Sequence, residues 1–155
     1  MRLLSIFTHL KISRMLKKKD VYGLLNYLAA NIDKNQVIAG KAMMALARIG
    51  KPSAEAICKM LPGIKHNFLK FTLIRILYSI GDPDSVGSLI SIVKDYGVRV
   101  LRKDAVHELN RSGETSVYFI ALKTLKHLGS EPGDWGISSE AYYEQVREDY
   151  SKCED

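Results

Sequence analysis

The sequence predicts an all-α protein, an α/α solenoid of about four helix pairs followed by a C-terminal capping helix. Apolar helical stretches end in glycine at Gly50, Gly81 and Gly113, and these glycines recur at a nearly constant interval. A second stretch with helical apolar spacing follows each glycine, and no stretch shows the alternation expected of a strand. Internal similarity at a fixed period of this size is typical of repeat architectures.

The first helix of each unit is predicted from apolar positions that share the interval of the glycines. Leu46, Leu77 and Leu109 each lie four positions before one of the three glycines. A glycine at the end of such a helix suits the left-handed position that closes it. We therefore expect three equivalent helices that end at equivalent turns.

The turns themselves are predicted from the residues after the glycines. Lys51-Pro52 follows Gly50, and Asp82-Pro83 follows Gly81. Proline is preorganised for the first helical position, and an aspartate such as Asp82 can cap the helix that follows. Each unit is therefore predicted to be a helix, a tight glycine turn and a second helix.

The second helix of each unit has apolar residues at i, i+3, i+4 and i+7, which form one helical face. The matching sets are Val21, Leu24, Leu25 and Leu28; Ala54, Ile57, Cys58 and Leu61; Val86, Leu89, Ile90 and Val93; and Val117, Ile120 and Ala121. Pro62-Gly63, Asp95-Tyr96-Gly97 and Gly129 are expected to end these helices. The predicted single domain, 1–155, then has helix pairs at about 3–33, 34–64, 65–96 and 97–129 and a cap at about 138–152.

The stretch 80–95 and the Val98-Arg99 that follows it resemble the HEAT-like repeat of the phycobilisome-lyase type. That repeat has a Gly-Asp-Pro turn, an apolar helix, a closing Lys-Asp and a Val-Arg that opens the next helix. The resemblance is good over 77–109, fair over 34–61 and weak at both ends, and it indicates a fold rather than a function. It implies roles in turns and between repeats for Gly50, Gly81, Asp82, Pro83, Arg99 and Gly113.

A non-enzymatic protein without a cofactor or metal is predicted. Deoxyhypusine hydroxylase, which has a similar fold, holds two irons with repeated His-Glu pairs, but the matching positions here are Lys103-Asp104. The pair His107-Glu108 is displaced by one helical turn and occurs once, whereas a two-metal site needs several converging ligands. No phosphate-binding glycine loop, nucleophile elbow or Ser-His-Asp arrangement is recognisable.

The charge is distributed unevenly along the chain. Residues 1–80 carry 14 basic and 3 acidic groups, a net charge of +11, whereas residues 81–155 have a net charge of −5. Residues 130–155 alone have a net charge of −6. Such a dipole can promote self-association, and the basic half can attract phosphate backbones or an acidic protein surface.

The predicted function is that of a scaffold or adaptor that binds a protein partner. The candidate binding residues are the basic cluster Lys17, Lys18 and Lys19 and the second-helix lysines Lys59, Lys94, Lys123 and Lys126. Nucleic-acid binding along a basic face, similar to that of HEAT-like DNA glycosylases, is the alternative, and lysines that only solubilise the protein are a further interpretation. A small-subunit role in a lyase follows from the resemblance alone.

The ends of the chain and its cellular location can also be predicted. No apolar stretch is long enough to cross a bilayer, so no membrane span is expected. The N-terminus lacks a cleavage motif and the two cysteines form no disulfide pattern, which favours the cytoplasm.

The apolar stripe Leu3, Leu4, Ile6, Phe7 and Leu10 is expected to pack on the next helix rather than lie on a membrane. Trp135 is expected to fold over the last repeat, the alternative being an exposed hot spot with Tyr142 and Tyr143.

Overall fold

Seven α-helices make up most of the part of the chain that the structure, a computed structural model, describes: residues 2–100 and 113–135. They are α1 (Arg2–Lys17), α2 (Val21–Asn31), α3 (Gln36–Ile49), α4 (Lys51–Met60), α5 (Asn67–Ile80), α6 (Val86–Val100) and α7 (Glu114–His127). Short 3-10 turns lie at Leu61–Gly63, Pro83–Ser85 and Pro132–Trp135. These ranges contain no β-strand, so the all-α prediction is confirmed for them.

Side chains in front of the helices satisfy backbone N–H groups that a helix leaves without internal partners. The Asp20 carboxylate accepts from the Gly23 N–H at 2.9 Å and starts α2. The Asn35 side chain accepts from the Ile38 N–H at 3.1 Å and starts α3. At α5 the cap is His66, whose Nδ1 accepts from the Leu69 N–H at 3.1 Å.

The glycines predicted to end the first helix of each unit have positive φ. Gly50, Gly81 and Gly113 have φ angles of 77°, 70° and 75°. Gly81 is in the left-handed helical region and its N–H bonds to the Leu77 carbonyl, which closes α5. Gly50 has a ψ of −134°, a conformation that is open almost only to glycine, and it connects α3 directly to α4.

Two sets of helices pack on each other. The odd-numbered helices α1, α3 and α5 are neighbours in that order, because α1 packs on α3 and α3 on α5. Helix α2 packs on α1, α3 and α4, and α4 packs on the Pro83–Ser85 turn that leads into α6. Short connections between successive helices usually make them antiparallel, so we expect α1, α3 and α5 to run the same way.

One hydrophobic core extends from Ile12 in α1 to Trp135. The apolar positions predicted for the second helices supply much of it, since Leu24, Leu28, Ile57 and Leu89 have no exposed surface. Each unit thus buries its apolar stripe against a neighbour, as expected of amphipathic helices that share a core.

The third predicted pair differs from the expectation in two ways. The prediction that Asp95-Tyr96-Gly97 ends a helix is wrong, because α6 continues without a break to Val100. The Tyr96 side chain is buried in this part of α6. Its packing offsets the cost of about 1 kcal/mol for having Gly97 inside a helix. In addition, the main partners of α5 are α3 and α7, so its packing does not repeat that of α3 with α2.

The apolar stripe predicted for the N-terminal helix does not pack as expected. Phe7 and Leu10 are exposed, and the contacts of α1 with the core come instead from Ile12, Met15 and Leu16. Ile12 and Leu16 lie one turn apart on the opposite side of α1 from Phe7. The side chains of Leu3, Leu4 and Ile6 lie outside the described part.

Trp135 lies in the core and not on the surface. Its side chain has no exposed area, its Nε1 donates to the Ser130 Oγ at 2.9 Å, and the turn that carries it packs on α6. The burial expected of Trp135 is confirmed and an exposed Trp135 is excluded, but among the described residues the main contact of its turn is with α6 and not with the last predicted pair. The predicted cap at 138–152, the pair His107-Glu108, Lys103-Asp104 and the tyrosines Tyr142 and Tyr143 lie outside the described residues.

Candidate functional site

The basic cluster of the sequence lies where α1 ends. Lys17 is the last residue of α1, and Lys18 and Lys19 form the turn to α2. All three side chains are exposed, and Lys19 has a positive φ of 52°. The cluster therefore lies at the exposed connection between α1 and α2.

The predicted second-helix lysines are distributed over three helices. Lys59 is in the last turn of α4, Lys94 is on α6, and Lys123 and Lys126 are on α7; all are exposed. Lys123 Nζ lies 5.7 Å from the centre of the Tyr78 ring on α5, a cation–π distance. It thus contacts α5 and not another second-helix lysine.

The Gly-Asp-Pro turn forms one wall of an open groove between α4 and α6. One oxygen of Asp82 accepts from the Asp84 N–H at 3.2 Å, which caps the turn that Pro83 begins. Asp84 pairs with Lys51 at 2.6 Å. The side chain of Arg99, for which the resemblance implies a role in turns and between repeats, lies outside the described part.

The groove itself has a volume of about 370 Å³ and carries both signs of charge. Asp82 and Ser85 are buried, and Asp82 Oδ2 and Ser85 Oγ have no hydrogen-bond partner among the described residues. Glu55, Cys58 and Lys59 complete the wall on the α4 side. These groups suit polar contacts, but the unpaired oxygens are shielded from solvent, so a ligand would have to move side chains to reach them.

Histidine contacts across helices were not foreseen. His66 Nε2 lies 3.2 Å from the Asp33 carboxylate, and both side chains are largely exposed. The ring of His127 lies 4.3 Å from that of Tyr78, in tilted stacking. Within the described ranges no group of three His, Cys, Asp or Glu side chains could hold a metal ion.

Exposed apolar residues recur on the odd-numbered helices, and we call Phe7, Val37 and Phe68 the apolar row. Phe7 on α1, Val37 on α3 and Phe68 on α5 are 67%, 70% and 48% exposed. Their spacing along the chain is nearly that of the glycines, so they occupy equivalent positions in the predicted repeat. Leu10 and Met44 add to the exposed apolar surface of the same helices.

Cations accompany this row on each helix, and carboxylates do not. Helices α1, α3 and α5 contain no aspartate or glutamate. We call the outer side of these helices the first-helix face. Lys41 in this face is half-buried, and its other members are exposed. The face is defined by Phe7, Leu10, Lys11, Arg14, Val37, Lys41, Met44, Arg48, Phe68 and Arg75. None of its five cations pairs with a carboxylate within the described residues; Lys11 and Arg75 instead lie over the rings of Tyr27 and Phe71 at 4.8 and 5.9 Å.

The α1 part of this face contains a shallow groove of about 460 Å³. Phe7, Leu10, Lys11 and Arg14 line it, and Asp20 lies at one end. The carboxylate of Asp20 caps α2, so its charge is directed at backbone N–H groups. The groove therefore offers apolar surface beside unpaired positive charge.

The first-helix face could have been detected in the sequence. Phe7, Val37 and Phe68 share the repeat interval, and the acid-free helices are visible as the basic half of the chain. What periodicity does not reveal is that an apolar residue at a repeated position is exposed, because exposure depends on which helices pack beside it.

No helix in the described ranges is long and apolar enough to cross a membrane.

The chain matches no protein-family model, and no curated protein or solved structure is significantly similar to it.

Proposed function

We propose that this protein is a non-enzymatic scaffold or adaptor, built as a HEAT-like α/α solenoid, that binds a protein partner through its first-helix face. The observation that carries the proposal is the apolar row Phe7, Val37 and Phe68 with unpaired cations beside it. Exposed apolar surface rimmed by polar groups marks interaction sites.

The solenoid part of the proposal is supported by the repeat interval and by neighbour packing. The order α1, α3, α5 agrees with stacked units in which each first helix contacts the next. The contact of α5 with α7 departs from a regular stack.

Nucleic-acid binding is the second candidate. The exposed Lys17, Lys18 and Lys19 favour it, because such clusters neutralise phosphates and release counterions. The aliphatic members of the first-helix face favour a protein instead, because Val37 and Met44 neither stack on bases nor bind phosphates.

Affinity capture of the tagged chain from its native cell lysate, with and without nuclease, tests the proposal. We expect the wild-type chain to recover one defined protein after nuclease treatment. The variant Val37→Glu should recover less of that protein. Loss of all bound material on nuclease treatment would instead support nucleic-acid binding, with affinity that falls steeply as salt is raised.

A further inference from the structure

We infer that the partner presents an acidic amphipathic α-helix, which lies across α1, α3 and α5 with its apolar side on the row Phe7, Val37 and Phe68. This inference rests on the proposed function and specifies the chemistry of the partner. It follows from the length of the apolar row, from the position of the cations relative to it, and from the kinds of apolar residue present.

The length of the row matches a short helix. Neighbouring packed helices are about 8–10 Å apart, so the row from α1 to α5 is roughly 16–20 Å long. A helix rises 1.5 Å per residue, so about 11–14 residues span that distance. Apolar residues at i, i+7 and i+11 of such a helix, roughly 10 and 16 Å along its axis, would meet Phe7, Val37 and Phe68 in turn.

Each of the three helices carries a cation after its residue of the row. Lys11 and Lys41 are one helical turn after Phe7 and Val37, and Arg75 is two turns after Phe68. With the three helices running the same way, these charges lie roughly 6–10 Å from the row, measured along the helix axes. This distance is between about the radius and about the diameter of a helix with its side chains. Carboxylates along one flank of the bound helix would therefore reach them.

Helix dipoles account for only part of this cation distribution. Arg14 and Arg48 lie near the C-terminal ends of α1 and α3, where positive charge is favourable for the helix itself. Lys41 lies in the middle of α3 and gains little from that effect. The exposed apolar row is also left unexplained by the dipoles.

A protein helix suits the face better than nucleic acid. Val37, Leu10 and Met44 provide aliphatic surface, for which nucleic acid has no complement. Helices α1, α3 and α5 carry cations and no carboxylate, so the charge that complements them on a bound helix is acidic.

The test uses a designed peptide as the probe. It is a fluorescent helix of about 14 residues with leucine at i, i+3, i+4, i+7 and i+11 and glutamate along one flank. Anisotropy titrations with the full chain compare it with a scrambled peptide of the same composition and with a version in which lysine replaces glutamate. Phosphatidylcholine vesicles containing phosphatidylserine and a DNA duplex serve as the other two ligands.

The protein variants come in matched pairs. Val37→Glu and Arg48→Glu change exposed positions of the first-helix face. The control Ser91→Glu on α6 and the double control Ser91→Glu/Ser116→Glu, on α6 and α7, make the same changes of charge at exposed positions elsewhere. Circular dichroism and thermal unfolding establish that all four variants fold like the wild type.

We expect the acidic helix to bind and the scrambled and lysine peptides to bind at least about tenfold more weakly. Val37→Glu and Arg48→Glu should each weaken binding of the acidic helix about tenfold, a loss of roughly 1.4 kcal/mol, with the two control variants unchanged. Equal binding of the scrambled peptide, equal loss in the controls, or tighter binding of vesicles or DNA with the same dependence on Val37 would overturn the inference.

The lysate experiment separates the two proposals. A captured protein whose recovery is unaffected by Val37→Glu and Arg48→Glu upholds the binding of a protein partner, but overturns both its assignment to the first-helix face and the helix inference. Failure to capture any protein counts against the scaffold function, while the peptide titrations still decide whether the first-helix face recognises an acidic helix.

Discussion

Gly81 and Gly40 show how the same residue type has opposite effects in two backbone environments. Gly81 has a φ of 70°, which a side chain disfavours, and a Cβ there would meet nothing within 4 Å. Gly81→Ala should therefore destabilise the fold by about 1 kcal/mol through backbone conformation alone. Gly40→Ala, inside α3 and equally uncrowded, should stabilise it by up to about 1 kcal/mol. Urea unfolding followed by circular dichroism measures both changes in the free energy of unfolding. Changes of the same sign in the two variants would contradict the backbone conformations assigned to Gly81 and Gly40.

Lys70 is a buried cation held by a neighbouring helix. Its Nζ donates to the Tyr96 hydroxyl at 2.9 Å, and that hydroxyl donates to Asn67 Oδ1 at 3.1 Å. Tyr96→Phe removes this partner of a buried ammonium and should lower the free energy of unfolding by about 1–3 kcal/mol. In the Lys70→Met background the same change should cost much less. Additive losses in this double-mutant cycle would show that the two groups do not interact.

Residue-level features differ in how far the sequence predicts them. The positive φ of Gly81 and the cap made by Asp82 depend on close neighbours in the chain, so local chemistry is enough. The contacts of Lys70 with Tyr96 and of His66 with Asp33 join residues that are far apart along the chain. Periodicity places such residues on helices, but it does not fix which helices face each other.

At the level of whole elements, Trp135 ties the end of the described chain to the helices. It is the single tryptophan of the sequence and is fully buried against α6. Trp135→Ala should cost about 3–5 kcal/mol in the free energy of unfolding, and Phe68→Ala, at an exposed aromatic, less than about 0.5 kcal/mol. The wild-type tryptophan fluorescence should shift to the red on unfolding. A red-shifted native spectrum, or similar costs for the two variants, would contradict the buried position.

Helix α6 illustrates why element boundaries are harder to predict than element type. Asp95, Tyr96 and Gly97 are each poor helix formers, which made a break the natural expectation. The burial of Tyr96 and its bond to Lys70 provide a tertiary stabilisation that no local propensity contains. The apolar spacing of Leu89 and Val93, by contrast, correctly identified the buried side of α6.

At the scale of the whole molecule, repeat spacing predicted an all-helical chain with equivalent first helices, but not the surface that they expose. Phe7 was expected to pack on the next helix because an apolar stripe usually does so. Its exposure follows from the use of the opposite side of α1 by Ile12. The repeat interval of Phe7, Val37 and Phe68 then turns a single exposed side chain into a row across three helices.

The charge of the whole chain supports the last prediction, which is reversible head-to-tail association at low salt. Residues 1–80 have a net charge of +11 and residues 81–155 of −5, so the oppositely charged halves of two copies attract each other. The screening length is about 30 Å at 0.01 M salt and about 3 Å at 1 M. Sedimentation equilibrium should therefore give a larger average mass at the lower salt concentration and a monomer at the higher.

Two sets of lysine substitutions decide whether the charge dipole causes this association. Changing Lys17, Lys18 and Lys19 together to glutamine lowers the positive charge of one half and should shift the equilibrium towards the monomer. Changing Lys94 and Lys123 to glutamine makes the other half more negative and should favour association or leave it unchanged. Because both sets lower the total charge, a shift towards the monomer in both would point to net charge and not to its distribution. A monomer at all salt concentrations would mean that the two halves do not meet in an orientation that the contact requires.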